Sequence, residues 1–394
     1  MDTKPKSRKS SNSSEIVASN NDLLIEILLK LPPKSFIKFT SVSKHWLSLA
    51  SDPNFCRRRF PFPGSITGLF RISYSVPSRY PEYNFVDLNQ TSNNPPFRSL
   101  TFFDHPSEIQ IVQSCNGLLL CASFEHRKTD YYVYNPTTNK YKLVPQVKLP
   151  SSHVFGFSLA FDPSKSPHYK AVCVWNRYHI VGDYYQIGVY SSEIGKWRLC
   201  GDRFYAHHST GPALLCIENE NGFESGVFWN GAIHWTSLST WSLLYFNVDE
   251  EKLSQISLPR LPEEWLSDIN LRYFDESRGH LHLINQTWNL TTLELDVYEM
   301  EMDYSGWFVK FRIDCSGFPE VIPSNPLAYC RYFFCILCIV RGDVDEESYA
   351  VIKIPGKVIR YNFQTKAFHK LCDMEFRDDG GYSAYQYIES LALV

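Results

Sequence analysis

The strongest constraint on this chain is a two-stranded unit that recurs five times between residues 130 and 371. Each copy has a strand ending in an aromatic residue, a polar turn, and a strand opening with a bulky residue. The aromatic positions are 56, 56, 52 and 63 residues apart: Tyr134, Tyr190, Phe246, Tyr298 and Tyr361. The turn has six residues in four copies and eight in the fifth. Because loop length fixes the register of a hairpin, the copies indicate one repeated supersecondary unit.

Further strand-like runs lie between the hairpins, at residues 117–121, 226–235, 279–284 and 333–340. Each period therefore holds about four strands and no helix, which is typical of a kelch-like propeller blade of about 50 residues. The segment that follows residue 60 is long enough for about six such blades. The first blade is expected between Ile66 and Phe103, and the last strand, Tyr387 to Val394, is expected to complete an early blade and close the ring.

The first 60 residues follow another pattern. Residues 1–18 are basic and serine-rich and predict a tail, whose KPKSRK run is either a nuclear-import signal or a solvated segment. Over residues 19–60, apolar residues three and four apart predict three short helices, with Asn20 or Asn21 as the first N-cap and a turn at residues 52–54. So small a unit cannot bury its apolar stripe alone, which favours a partner or a neighbouring domain. The propeller is expected over residues 61–394.

Residues 20–55 resemble the F-box of plant F-box proteins. The matching elements are the Asp-Leu-Leu start, the Glu-Ile-Leu helix, the Leu-Pro break, Lys-Ser at 34–35, Val-Ser-Lys at 42–44, Trp46 and the Ser-Asp-Pro-x-Phe ending. The rest of the chain is similar to the F-box-associated, kelch-like domains of that family, including the NGLL run at 116–119. Family members usually carry Leu-Pro before the first helix, where this chain has Ser19-Asn20.

The resemblance implies a mainly β protein with a three-helix F-box and a kelch-like propeller. It also implies a non-catalytic substrate-recognition subunit of an SCF-type ubiquitin ligase, without a cofactor. The F-box would bind an SKP-type adaptor and, through it, the cullin and RING subunits, and the propeller would bind an unidentified protein target. The adaptor-facing positions that it implies are Leu23, Ile27, Leu28, Leu31, Pro32, Pro33, Phe36, Val42 and Trp46.

The amino-acid composition limits the classes of partner that the chain can bind and the cellular compartment in which it is expected. The 39 Lys and Arg residues against 42 Asp and Glu residues give no general attraction to nucleic acid or to an anionic membrane. The 11 scattered cysteines fit a reducing compartment, and the longest uncharged apolar run, residues 332–340, is too short to span a bilayer as a helix. A cytoplasmic or nuclear protein is therefore expected.

Catalytic and metal-binding patterns are weak. Cys335 and Cys338 form a CxxC, but residues three apart on a strand are expected on opposite faces. His280 and His282 share a strand face, and no carboxylate is expected beside them, so a structural role is favoured over a metal site. The acidic run at 343–347 reads as a solvated turn. No metal site or catalytic group is predicted.

The alternative class is a propeller lectin or enzyme that acts outside a ligase, since propellers host both. It would need convergent acid, base or metal-binding residues near the propeller axis. If the chain is a receptor, its target would contact loops of one propeller face. Trp241, Trp265 and Trp288 are candidate contacts there, although blade core or ordinary surface is the favoured interpretation of each.

Overall fold

The computed structural model describes residues 20–31, 33–40, 43–50, 52–59, 64–73, 81–90, 96–100, 109–123, 129–147, 153–177, 184–205, 225–237, 241–259, 269–287, 294–317, 334–374 and 384–394. The chain divides into two compact units, residues 1–61 and residues 62–394. The first unit is helical in its described part, and the second consists of β-sheets.

Four helices lie in the described part of the first unit: α1 (Asn21–Lys30), α2 (Pro33–Thr40), α3 (Lys44–Ala50) and α4 (Pro53–Arg59). The expected three-helix arrangement is therefore not confirmed, and the turn predicted at 52–54 is wrong. The Oδ1 atom of Asp52 accepts the backbone N–H groups of Asn54 (2.8 Å) and Phe55 (3.1 Å). An N-capping Asp followed by Pro at the first helical position starts a helix, because that position needs no N–H donor.

Both ends of α1 are closed by side chains. The Oδ1 atom of Asn20 accepts two backbone N–H groups of the first turn (3.1 and 3.2 Å), as the sequence predicts. At the other end, Arg59 from α4 donates to backbone carbonyls, among them those of Leu28 (2.5 Å) and Leu29 (2.8 Å). A cation beside the last carbonyls of a helix opposes the negative end of its dipole. The first and last helices of the unit are thus tied together.

The second unit contains six antiparallel sheets among the described residues. The first sheet contains β1 (Gly68–Ser73), β2 (Glu82–Asp87) and the C-terminal strand β23 (Tyr385–Tyr387). The second contains β3 (Ile109–Cys115), β4 (Leu118–Ser123), β5 (Asp130–Asn135) and β6 (Lys140–Leu143). The third contains β7 (His153–Ala160), β8 (Lys170–Arg177), β9 (Tyr184–Ser191) and β10 (Lys196–Tyr205).

The remaining three sheets repeat the four-stranded order. The fourth contains β11 (Val227–Trp229), β12 (Ala232–Ser237), β13 (Ser242–Asn247) and β14 (Lys252–Ser257). The fifth contains β15 (Ile269–Ser277), β16 (His280–Thr287), β17 (Glu294–Met300) and β18 (Trp307–Asp314). The sixth contains β19 (Cys335–Val340), β20 (Tyr349–Ile354), β21 (Lys357–Asn362) and β22 (Phe368–Asp373). Short 3₁₀ turns occupy Cys315–Gly317 and Asp345–Glu347.

The six sheets are the blades of a closed β-propeller, which confirms the predicted architecture. Strands β23, β3, β7, β11, β15 and β19 are the innermost, since each contacts its counterpart in a neighbouring blade. Six hydrophobic clusters are each built mainly from two consecutive blades, and one of them joins the sixth blade to the first. The first blade has three strands and an isolated bridge, Glu82 to Ser99, on its outer side.

The C-terminal strand closes the ring, as predicted, but at residues 385–387 instead of 387–394. It pairs antiparallel with β1, and the residues after it lie on the second blade. There the Nδ2 atom of Asn135 donates to the carbonyls of Ser390 (3.1 Å) and Ala392 (2.9 Å). The last ten residues therefore join the first and second blades.

The predicted hairpins are present in blades two to six. Four of the five equivalent aromatic residues are fully buried: Tyr134, Tyr190, Phe246 and Tyr361. In three hairpins an asparagine closes the turn by accepting backbone N–H groups through Oδ1: Asn135, Asn247 and Asn362. The copy with the eight-residue turn, the fourth in chain order, lies in the fifth blade, where the pairing of β17 with β18 extends to Met300 and Trp307.

A β-bulge interrupts four innermost strands, β3, β7, β15 and β19. In β19 it falls between Ile336 and Cys338 and shifts the alternation of side chains by one residue. Cys335 and Cys338 consequently belong to the same hydrophobic cluster, between the sixth and first blades. The prediction that they lie on opposite faces is wrong. Both are free and buried, and burial raises the pKa of the Cys338 thiol well above its usual value.

Candidate functional site

The helical unit has a small packed interior. Leu24 and Leu28 of α1, Phe36 of α2 and Phe55 of α4 are almost fully buried. The rings of Phe36 and Phe55 stack with centroids 5.6 Å apart, and the Arg59 guanidinium lies 4.6 Å from the Phe36 centroid. These contacts hold three of the four helices and thereby orient α1.

The outer faces of the same helices carry large apolar side chains. On α1, Leu23 is 47% exposed and Ile27 is 45% exposed, one helical turn apart. Phe39 of α2 is 38% exposed and Leu47 of α3 is 52% exposed. Half-buried Trp46 stacks on Phe39, with centroids 5.5 Å apart. Exposed apolar side chains on three successive helices are what a protein-docking surface presents.

The nine positions predicted to face an adaptor fall into four groups. Leu23 and Ile27 are exposed. Leu31 and Trp46 are half-buried. Leu28 and Phe36 are buried in the interior, where they support the surface instead of forming it. Pro32, Val42 and the side chain of Pro33 lie outside the described residues.

The division of α1 follows from helix geometry. Successive residues are about 100° apart, so the apolar residues at 23, 24, 25, 27, 28 and 29 cover more of the helix than one interior can bury. Leu24 and Leu28 point inward, and Leu23 and Ile27 are left outside. The sequence-based set omitted Phe39 and Leu47. Their signal was the same excess of apolar residues in α2 and α3.

A second cluster lies at the propeller axis. The Nε2 atom of Gln386, on the closing strand, donates to Asp275 Oδ2 (3.0 Å) and to the Glu276 carbonyl (2.7 Å), both on β15. The carboxylate of Glu276 accepts the N–H of Gly279 at 2.5 Å. Burial raises the pKa of Asp275 to about 7 and that of Glu276 to about 8. Asp275 Oδ1 also accepts the backbone N–H of Glu276 (2.8 Å). The hydrogen bonds of these carboxyls thus join the first blade to the fifth, close the β15–β16 turn or stay within β15, which indicates a structural role.

The histidine pair on β16 does have a carboxylate beside it, contrary to the sequence-based expectation. Glu299 on the adjacent strand β17 lies 2.8 Å from His280 Nδ1 and 3.4 Å from His282 Nε2. Burial alone would raise the pKa of Glu299, but the hydrogen bonds from both histidines lower it. Among the described residues, no group of three or more His, Cys, Asp or Glu side chains could hold a metal ion.

The acidic run at 343–347 is anchored at two points, so the expectation of a solvated turn is only partly met. Asp343 pairs with Arg278 of the fifth blade, and Asp345 pairs with Lys310 (2.7 Å) and Arg341 (3.0 Å). The run therefore joins the fifth and sixth blades.

Of the three tryptophans named as candidates for target binding, Trp241 packs partly buried between the fourth and fifth blades. Its indole N–H donates to the carbonyl of Pro259 (2.9 Å). Trp265 and Trp288 lie outside the described residues. No helix in the described part of the chain is long and apolar enough to cross a membrane.

The chain therefore combines a helical unit that carries exposed apolar side chains with a six-bladed β-propeller. Comparison with known protein families divides the chain into the same two domains. The family model of the F-box domain matches residues 20–58, and that of the F-box-associated β-propeller domain matches residues 74–313. The chain belongs to the F-box proteins that carry an F-box-associated β-propeller. A kelch-like character of the blades stays a prediction.

The relatives agree with this family. The chain is 38% identical to the F-box protein At5g07610 of Arabidopsis thaliana, over 98% of this chain and 94% of that protein. It is 23% identical to the putative F-box/kelch-repeat protein At3g22730 of the same plant, over 94% of this chain and 90% of that protein.

Solved structures are more distant. TolB from Acinetobacter baumannii is 8% identical with a TM-score of 0.41, over 84% of this chain and 69% of that one. A chain of the nidogen/laminin complex is 9% identical with a TM-score of 0.38, over 82% of this chain and 98% of that one. Likeness at this level carries no functional argument.

Proposed function

We propose that this chain is a substrate-recognition subunit of an SCF-type ubiquitin ligase. The helical unit binds an SKP-type adaptor and, through it, the cullin and RING subunits, and the propeller binds the protein to be ubiquitinated. The chain is a non-catalytic receptor that works in the cytoplasm or nucleus. The observation that carries the proposal is the exposed pair Leu23 and Ile27, one turn apart on a helix whose adjacent face is fixed by a packed interior.

The proposed contact depends on the two faces of α1 having different roles. Leu23 and Ile27 would bury their exposed halves against the adaptor, with Phe39 and Leu47 as further contacts. Leu28 and Phe36 would act indirectly, because they hold the helices in place. Asn20 stands where the family usually has proline, and as the N-cap of α1 it keeps the first turn of the helix ordered.

The test is co-purification of the full chain with a plant SKP-type adaptor. Ile27→Asp and Leu23→Asp each put a charge into the proposed contact without disturbing the interior. Each should weaken binding about tenfold, because burial of the exposed half of the apolar side chain, worth about 1 kcal/mol, is lost and the new carboxylate must give up water at the contact. The matched control is Ile194→Asp, which changes a 67% exposed isoleucine in a propeller turn and should bind as the wild type does.

Two results would contradict the proposal. If both α1 variants bind the adaptor like the wild type, the exposed pair is not the contact. If the wild-type chain does not bind any SKP-type adaptor, the chain acts outside a ligase, and the lectin or enzyme alternative takes precedence.

A further inference from the structure

Because the blades repeat, the same strand position can be compared in each of them. The comparison shows which residue is expected at the seam, the contact between two neighbouring blades. The residue before the recurring aromatic of each third strand is Val133, Val189 and Val297 in the second, third and fifth blades, and all three are buried. The fourth blade has Tyr245 at this position and the sixth has Arg360. Arg360 therefore puts a charge at a position that other blades seal with valine.

Arg360 lies in a groove between the sixth and first blades. Leu88 and Leu371 are among the lining residues, together with the polar side chains of Asn89, Gln90, Asn362 and Thr365 and the cationic or titratable side chains of Arg360, His369 and Lys370. The groove holds about 690 Å³ of free volume, which is within the usual range of ligand pockets. The Gln90 Nε2 atom donates to the Lys370 carbonyl (3.4 Å) and links the two blades across it.

The guanidinium of Arg360 is held in place but not neutralised. It lies 3.7 Å from the ring centroid of Tyr349, which is a cation–π contact. Among the described residues, Arg360 forms no ion pair with a carboxylate. Lys370 is different, because its Nζ lies 2.9 Å from Asp373. A planar guanidinium fixed on a ring and facing a polar groove matches a carboxylate that accepts two hydrogen bonds.

The local charge favours the same ligand. From Ser348 to Cys372 the chain has five Lys and Arg residues and no Asp or Glu, although the whole protein has a net charge of −3. Strand β21 and all of β22 except its last residue, Asp373, lie within that segment. Lys366 and Lys370 are paired with Asp314 and Asp373, but the excess of positive charge in this segment still favours an acidic partner.

We propose that this groove binds an extended acidic segment of a partner protein, with one Asp or Glu carboxylate against Arg360. His369, Lys370 and the amides of Asn89 and Gln90 would contact the rest of the segment. As the place where the ligase target binds, the groove rests on the proposed function. As an acidic-peptide site it is independent of the adaptor, since no α1 residue takes part.

The test measures fluorescence polarisation of a fluorescein-labelled hexaglutamate peptide with the full chain, with a hexaglutamine peptide as the neutral comparison. The wild type should bind hexaglutamate and not hexaglutamine. Arg360→Val installs the residue that three other blades carry and should reduce affinity about tenfold. Arg360→Lys keeps the charge but loses the planar fork, and should fall between the two. If Arg360→Val is not folded by circular dichroism, Arg360→Gln replaces it.

The matched control is Lys142→Gln, which removes an exposed charge on β6, at the position equivalent to His369 on β22. It should leave the affinity for hexaglutamate unchanged. The proposal is overturned if the wild type does not bind hexaglutamate, if Arg360→Val binds as tightly as the wild type, or if Lys142→Gln weakens binding equally. Because the assay contains no adaptor, failure here leaves the adaptor test unaffected.

Discussion

Closure of the propeller depends on the buried side-chain amide of Asn135, whose oxygen and nitrogen form hydrogen bonds with different parts of the chain. The Oδ1 atom of Asn135 accepts the backbone N–H groups of Thr137 (2.9 Å) and Thr138 (3.2 Å) and closes the β5–β6 turn. Its Nδ2 atom donates to the carbonyls of Ser390 and Ala392 in the C-terminal segment. Asn135→Asp keeps the acceptor for the turn and replaces the donor with an oxygen that faces two carbonyls.

The expected cost follows from these contacts. Two hydrogen bonds at about 1 kcal/mol each are lost, and the buried acid must either stay charged against carbonyls or take up a proton. We expect a loss of about 2–4 kcal/mol. With a urea dependence of about 3 kcal/mol per molar, this lowers the urea midpoint by about 1 M. Tryptophan fluorescence and far-ultraviolet circular dichroism would measure it.

The matched control is Asn247→Asp in the equivalent turn of the fourth blade. Asn247 accepts the N–H groups of Asp249 (3.0 Å) and Glu250 (2.9 Å), and this turn has no C-terminal segment above it. Aspartate closes such turns as well as asparagine does, so the change should stay within about 0.5 kcal/mol. Equal urea midpoints for the two variants would refute the argument that the C-terminal segment is held by Asn135.

Two further predictions use buried groups. Burial raises the pKa of Glu276 to about 8 from a usual 4.5, so its contribution to stability is complete below pH 4.5 and is lost as the pH rises towards 8. Between these limits the thermal midpoint of the wild type should fall more than that of Glu276→Gln, measured by differential scanning calorimetry; parallel curves would contradict this. Leu28→Asp should make the 20–59 segment protease-sensitive, while Ile27→Asp should not, because only Leu28 lies in the interior. Equal protection in limited proteolysis would contradict the assignment.

The blade repeat was predictable because its determinants are local. Each hairpin carries its aromatic strand end and its turn residues within about 15 residues, so the register of Tyr134 or Tyr361 can be inferred without knowing the rest of the fold. The exact closing strand could not be inferred in this way. The pairing of Phe70 with Tyr385 joins residues more than 300 apart, and it is selected by the ring as a whole.

The docking surface was only half predictable for a related reason. The sequence places six apolar residues on α1, but which of them face inward depends on the helices that pack against it, α3 and α4. The same limit applies to Cys335 and Cys338, because a β-bulge changes strand parity without a sequence signal of its own.

Comparison of the blades also shows positions at which one blade has a different residue from the others. The effect of such a residue on the structure depends on what the neighbouring blade places against it. Tyr245 and Arg360 both occupy the position at which three other blades have a buried valine. The long turn of the fifth blade places Tyr304 on Tyr245 with centroids 4.3 Å apart, and the Tyr304 hydroxyl lies 3.1 Å from His234 Nε2, so that seam is filled. No such insertion covers Arg360 among the described residues of the first blade. A departure from the repeat therefore stabilises the ring where the neighbouring blade fills it and leaves a binding groove where the neighbouring blade does not.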